Sequence, residues 1–79
     1  MKFSVIVTLK KDVLDPQGKV VEQTIHGLGF DAIKSLRQGK YFEIDIEEND
    51  KLIAEKKIDD ICKKLLVNLI IEDYKINII

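Results

Sequence analysis

The fold is decided by residues 41–65, which read YFEIDIEENDKLIAEKKIDDICKKL. In the first part apolar and acidic residues alternate, which predicts a strand with one face toward water. In the second part apolar residues recur at helical spacing, and Asn49 or Asp50 is placed to cap the helix. The residues expected to face inward are Phe42, Ile44 and Ile46 on the strand, then Ile58, Ile61, Cys62 and Leu65 on the helix. A strand followed by an amphipathic helix is therefore expected here.

The N-terminal half repeats this plan. Residues 2–9 alternate between apolar and polar side chains, which predicts a first strand. Asp15 can cap a helix and Pro16 fits its first turn, so a helix of about three turns should begin there. Gly27 or Gly29 is placed to end it. The apolar stripe of this helix is Val20, Val21, Thr24, Ile25 and Leu28.

The remaining segments complete an α+β plan. Phe30–Leu36 is interpreted as a strand, Arg37–Lys40 as a tight turn, and Ile70–Ile79 as the last strand. Asn68 is expected to end the second helix in a left-handed conformation. The order is then βαββαβ, a ferredoxin-like fold with two helices on one face of an antiparallel sheet. If residues 31–47 instead form one long bent strand, the order becomes βαβαβ.

Length and composition favour one small domain, residues 1–79, with 46% hydrophobic residues. So short a chain buries little surface, which favours self-association. A net charge of −1 argues against nucleic acid as a partner. No apolar stretch is long enough to cross a membrane or resembles a signal peptide. The single cysteine, Cys62, excludes an internal disulfide, and we expect a cytoplasmic protein.

The residues that carry chemistry do not form a catalytic set. His26 is the only histidine, and Cys62 lies among apolar residues, so neither has the partners of a metal or nucleophile site. The acidic run at residues 43–50 is interpreted as the wet face of a strand. Arg37 and Lys40, on either side of Gly39, fit either an anion clamp or a solvated hairpin.

Five short segments resemble the PurS family. They are Val13-Leu14-Asp15-Pro16-Gln17-Gly18, Leu28-Gly29-Phe30, Leu36-Arg37-Gln38-Gly39-Lys40, Leu65-Leu66-Val67-Asn68 and Ile71-Glu72-Asp73-Tyr74. PurS is the small subunit of phosphoribosylformylglycinamidine synthase, also called formylglycinamide ribonucleotide amidotransferase, in de novo purine biosynthesis. The resemblance covers essentially the whole chain. One departure is Val67 and Leu69, where the family pattern usually has Ala and Pro.

The resemblance implies a subunit with no catalytic residues of its own. Such a subunit, as a homodimer or tetramer, bridges a glutaminase subunit and a large synthetase subunit and assists ammonia transfer between them. The large subunit uses ATP and Mg²⁺, and no cofactor or metal is expected in this chain. The residues implied as subunit or partner contacts are Asp15, Pro16, Arg37, Gly39, Lys40, Asn68, Glu72 and Tyr74.

Two other functions fit a fold of this kind. One is a dimeric ferredoxin-like domain that binds a small regulatory molecule at its interface, for which ligand-dependent thermal stabilisation would be the sign. The other is an enzyme acting alone, which would have to work with carboxylates and lysines only. Turnover by the purified chain would be required to support it.

Overall fold

The computed structural model describes every residue from 1 to 79. Its elements are β1 (Lys2–Leu9), α1 (Pro16–Gly27), β2 (Gly39–Asp45), α2 (Lys51–Ile61), a π-helical segment (Cys62–Leu66) that continues α2, and β3 (Glu72–Ile78). The order is thus βαβαβ, and the predicted α+β ferredoxin-like class is confirmed. None of the helices combines the length and apolar character needed to cross a membrane.

The three strands form one antiparallel sheet in the order β2-β1-β3. β1 is the central strand, and Val7 lies opposite Lys40 on one side and Tyr74 on the other. Both of its edges are therefore paired, while β2 and β3 each leave one edge free.

The core lies between one face of this sheet and α2. It forms because the alternating residues of β1 and the helical stripe of α2 each present one apolar side. Asp50 caps α2, since its Oδ1 accepts the backbone N–H groups of Leu52 at 2.9 Å and Ile53 at 3.2 Å. The buried core residues are Phe3, Val5 and Val7 from β1, Ala54, Ile58 and Cys62 from the helix, and Val67.

The strand predicted at Phe30–Leu36 is wrong, and so is one long bent strand over residues 31–47. Residues 30–38 form no strand, and β2 begins only at Gly39. This segment runs back beside α1, where the carbonyl of Ile33 lies against His26, and so it does not pair with the sheet. Its backbone bonds locally instead, with the N–H of Phe30 on the carbonyl of Ile25 at 3.3 Å.

The predicted position of α1 on the sheet is also wrong. Residues 10–38, here called the arm, project from the sheet, and no residue of α1 belongs to the core. The radius of gyration is 16.1 Å and the longest dimension 50 Å, whereas about 12 Å is typical of a compact chain of this length. A three-stranded sheet is only about 14 Å wide, and one helix of about 10 Å diameter covers most of it. The second helix therefore finds no room on that face.

Within the arm the chain runs out along α1 and returns beside it. Gly29 has a φ of 97° and reverses the chain just after the helix, as expected for a glycine at a helix end. The Nε2 atom of His26 lies 2.6 Å from the carbonyl oxygen of Ile33 on the returning segment. The arm is thus a helix with an extended segment packed alongside.

Candidate functional site

Most of the predicted contact residues lie at one end of the sheet. At this end β1 finishes and both β2 and β3 begin, with Thr8 opposite Gly39 and Leu9 opposite Glu72. The arm leaves the sheet at the same end. The predicted residues brought together there are Asp15, Pro16, Arg37, Gly39, Lys40, Asn68 and Glu72. Tyr74 lies further along β3 and faces α2.

Asp15 is the N-cap of α1, and only 7% of it is exposed. Its Oδ1 accepts the backbone N–H of Gly18 at 2.9 Å, the usual bond of a capping residue. Its Oδ2 accepts the backbone N–H of Gln38 at 2.9 Å, from the far side of the arm. The Gln38 amide foremost, then the Gly18 amide and the charge of Arg37, hold the pKa of the Asp15 carboxyl below its ordinary value. Pro16 follows at the first helical position, where no N–H is needed.

Arg37 directs its guanidinium toward the backbone of its own chain. One Nη donates to the carbonyl of Lys11 at 3.1 Å, and the other donates to the carbonyls of Lys10 at 3.2 Å and Val13 at 2.5 Å. These bonds hold the loop that leads from β1 into the arm. We call Asp15 and Arg37, with their backbone partners, the clasp.

Gly39 and Lys40 begin β2 close against β1. A Cβ on Gly39 would overlap the carbonyl oxygen of Val7, so only glycine fits at this crossing. The Nζ of Lys40 lies 3.4 Å from Oε2 of Glu72. Since Lys40 is on β2 and Glu72 on β3, this ion pair joins the two edge strands across the end of β1.

Asn68 shapes the turn before β3, but not in the predicted left-handed conformation, because no residue other than glycine has a positive φ. Its Oδ1 accepts the N–H of Ile70 at 3.1 Å, and its own N–H donates to Oε1 of Glu72 at 2.8 Å. The left-handed conformation is unnecessary because the extended backbone of Val67 already ends the helix. The side chain of Asn68 then completes the turn.

A cavity of about 190 Å³ lies between the base of the arm and the end of the sheet. The polar side chains that line it already have partners. Lys40 pairs with Glu72, and the side-chain amide of Gln38 donates to the side-chain oxygen of Gln17. No buried side-chain nitrogen or oxygen anywhere in the chain lacks a hydrogen-bond partner. A cavity lined in this way fits a structural contact between the arm and the sheet better than a ligand-binding pocket.

Sequence reasoning missed two partners in this region. Gln38 holds Asp15 from 23 positions away, and Gly18 is tightly enclosed, since a Cβ there would lie 2.6 Å from Oδ2 of Asp15 and 2.9 Å from the carbonyl oxygen of Leu36. The Asp-Pro pair predicts the helix cap at Asp15. No pattern in the sequence predicts that the same carboxylate accepts a second hydrogen bond from the distant N–H of Gln38.

Two further observations bear on chemistry. No group of three or more His, Cys, Asp or Glu side chains is arranged to hold a metal ion. Cys62 is fully buried, and burial foremost raises the pKa of its thiol. Cys62 therefore behaves as a core residue, as its apolar neighbours indicated.

Comparison with known proteins gives consistent matches over nearly the whole chain. Residues 2–79 match the model of the PurS family, described as phosphoribosylformylglycinamidine (FGAM) synthase. The chain is 40% identical over 74 residues to the PurS subunit of this synthase from Bacillus subtilis, covering 94% of this chain and 87% of that protein.

Two solved structures share the fold. The crystal structure of Methanocaldococcus jannaschii PurS, one of the subunits of formylglycinamide ribonucleotide amidotransferase in the purine biosynthetic pathway, matches with a TM-score of 0.86 and 38% identity, covering 96% of this chain and 92% of that one. The structure of PurLQS from Thermotoga maritima matches with a TM-score of 0.89 and 30% identity, covering 96% and 93%. As the resemblance predicted, the chain belongs to the PurS family, the family of the PurS subunit of phosphoribosylformylglycinamidine synthase.

Proposed function

We propose that this chain is the bridging subunit of FGAM synthase in purine biosynthesis. It holds the glutaminase subunit and the large synthetase subunit together and assists the transfer of ammonia between them. The observation that carries the proposal is the family match over residues 2–79. The likeness to the structure of PurLQS from Thermotoga maritima supports it, because in PurLQS the PurS subunit is part of a complex with the other subunits of the synthase.

A bridging subunit needs surface for its neighbours, and this chain has an excess of it. Its accessible surface is 6066 Å², whereas a compact protein of 9.1 kDa exposes about 4,900 Å². The excess of about 1,200 Å² exceeds the roughly 800 Å² that each partner contributes to a standard interface. The extended shape alone thus supplies the area of one standard contact with a neighbouring subunit.

Self-association is part of the proposal, as a homodimer or tetramer. Only ten of the 79 residues are buried, which is a small core for independent stability. The arm exposes a group of large apolar side chains that a second copy would cover. They are Val20, Val21, Leu28, Phe30 and Ile33.

The end of the molecule opposite the arm differs in character. Residues 43–50 contain five acidic side chains and no basic one, and only Lys57 and the N-terminal amine pair with them. An acidic end of this kind complements a basic surface and steers association. We propose that the apolar arm serves contacts between copies and the acidic end serves another subunit.

The chemistry of the complex then belongs to the partners. ATP and Mg²⁺ are bound by the large subunit, glutamine by the glutaminase subunit, and this chain supplies contacts and position. The proposal places the complex in the cytoplasm, which the free, buried thiol of Cys62 supports.

The test is assembly from purified parts. The chain is mixed with the synthetase and glutaminase subunits of its own organism, with glutamine, Mg²⁺ and ADP present, and separated by size-exclusion chromatography with light scattering. The proposal is supported if the synthetase and the glutaminase elute together only when this chain is included. If the chain elutes apart from both subunits, or if they associate equally well without it, the bridging role is wrong.

A further inference from the structure

Two backbone segments at the base of the arm connect it to the sheet. Residues 10–15 lead out from β1, and residues 36–38 lead back into β2. No residue of α1 contributes to the core, so packing against the sheet does not fix the arm. Two unrestrained segments of this length would let a body of this size swing as a hinge.

The clasp restrains both segments reciprocally. Asp15, on the outgoing segment, accepts the backbone N–H of Gln38 on the returning segment at 2.9 Å. Arg37, on the returning segment, donates to backbone carbonyls of the outgoing segment at 2.5–3.2 Å. Each segment thus supplies the side chain that holds the backbone of the other. Because both side chains are ionised, these bonds are stronger than neutral ones.

Close packing at two glycines adds to this restraint. A Cβ on Gly18 would meet both Asp15 and the carbonyl oxygen of Leu36, so the outgoing helix and returning segment are in contact at its first turn. Gly39 lies against the carbonyl of Val7 where the returning segment joins the sheet. Lys10, at the start of the arm, also pairs with Asp73 of β3 at 3.0 Å.

We propose that Asp15 and Arg37 are positioning residues whose clasp fixes the angle at which the arm leaves the sheet. The arm is then a rigid extension, and its apolar side chains are presented in one orientation before any partner binds. Only the consequence for assembly rests on the proposed function, since a fixed arm lowers the ordering cost of an interface built on it. The fixed angle itself is a property of the isolated chain.

Two conservative variants separate the clasp from helix capping. In Asp15→Asn the side chain still caps α1, because Asn is as good an N-cap as Asp. Its amide nitrogen then faces the N–H of Gln38 and cannot accept it. Arg37→Lys keeps the charge but loses the planar group that reaches three carbonyls. Asp50→Asn is the matched control, because Asp50 caps α2 through Oδ1 alone and does not touch the arm.

The first measurement is amide hydrogen exchange by NMR. In Asp15→Asn we expect the Gln38 amide to lose its protection while the Gly18 amide keeps it. If Asp15 served only as a cap, the Gly18 and Gln38 amides would both exchange as in the parent protein, because Asp15→Asn preserves the cap. Amides of β1 should exchange as in the parent protein in every variant, which shows that the sheet remains folded.

The second measurement is the distance between spin labels on the arm and on the sheet. Labels are placed at Gln23→Cys and Lys75→Cys, both exposed positions, in a Cys62→Ala background diluted with unlabelled chain. The parent and Asp50→Asn should give one narrow distance. Asp15→Asn and Arg37→Lys should each lose that single peak and give a broad distribution.

The spin-label distances in the two clasp variants decide whether the clasp fixes the angle of the arm. A narrow, unshifted distance in both clasp variants overturns the inference. If Asp15→Asn fails to fold, Arg37→Lys decides alone, because it leaves the helix cap intact. A broad distance confirms the fixed angle, and the affinity for the other subunits is then measured separately. Unchanged assembly with a mobile arm would count against the proposed role of the arm in the complex, not against the clasp.

Discussion

Tyr74 and Asp59 connect the last strand to the second helix: the phenol O–H of Tyr74 donates a hydrogen bond to the Asp59 carboxylate. Lys63, one turn further along the helix, lies 2.9 Å from the other oxygen of the same carboxylate. The Tyr74 bond foremost and then Lys63 hold the pKa of the Asp59 carboxyl below its ordinary value, while the bond to Asp59 raises the pKa of Tyr74. Tyr74, for which the family resemblance implies a subunit contact, thus has a structural role within its own chain.

Removing the Tyr74 hydroxyl should weaken this connection. For Tyr74→Phe we expect a loss of about 1.5–3 kcal/mol in the free energy of unfolding, the usual contribution of a hydrogen bond to a charged acceptor. The check is urea unfolding followed by circular dichroism. Tyr41→Phe is the matched control, since Tyr41 is exposed and bonds Glu43 on its own strand at 3.2 Å. Equal stability of the two variants would contradict the assignment.

The lowered pKa of Asp59 also predicts how the stability of the chain depends on pH. Its pKa in the folded chain lies below the ordinary value of 3.8, so its contribution is complete above that value and is lost as pH falls through the folded-state pKa. Asp59→Asn keeps an acceptor for Tyr74 but does not titrate. Its free energy of unfolding should therefore fall less than that of the parent between about pH 5 and pH 2.

Asp60→Asn is the control for this measurement, because it changes the net charge equally and lies on the exposed side of the helix. A pH profile of Asp59→Asn parallel to the parent profile would show that Asp59 does not contribute to the acid response.

Substitution by alanine should lower stability at Gly39 but not at Gly27. Gly39→Ala places a Cβ against the carbonyl oxygen of Val7, and overpacking of this kind typically costs about 1–3 kcal/mol. Gly27 has open space around its Cβ position and lies at the end of α1. Gly27→Ala should leave stability unchanged or raise it by up to about 1 kcal/mol. Thermal unfolding of both variants checks the difference in sign.

The exposed apolar side chains of the arm predict where self-association is sensitive. Phe30 is 61% exposed and Leu28 71%, so Phe30→Glu should shift the protein toward the monomer in sedimentation experiments by placing a charge in the apolar contact. Leu52→Glu makes a comparable change at a position 74% exposed on α2 and should leave self-association intact. The arm is not the self-contact if Leu52→Glu dissociates the protein and Phe30→Glu does not.

Local patterns predicted most of the elements. The alternation of Phe3, Val5 and Val7 placed β1, and that of Phe42 and Ile44 placed β2, because a half-buried strand imposes a period of two. Asp15 and Asp50 marked the helix starts, since capping is satisfied within a few residues.

The errors concern interactions that no local pattern encodes. The apolar content of Phe30–Leu36 suggested a strand, but this segment runs beside α1 and pairs with no edge of the sheet. The stripe on α1 suggested packing on the sheet, yet whether a helix packs depends on space that α2 already occupies. For the same reason the bond between Asp15 and Gln38, 23 positions apart, could not be foreseen.

The proposed role of this subunit is to couple the glutaminase to the synthetase. The most direct test measures FGAM formation by the two partner subunits, with glutamine or with ammonium chloride as nitrogen source, in the presence and absence of this chain. We expect that omitting the chain abolishes synthesis from glutamine and leaves synthesis from ammonia largely intact. Undiminished glutamine-dependent synthesis without the chain would contradict it.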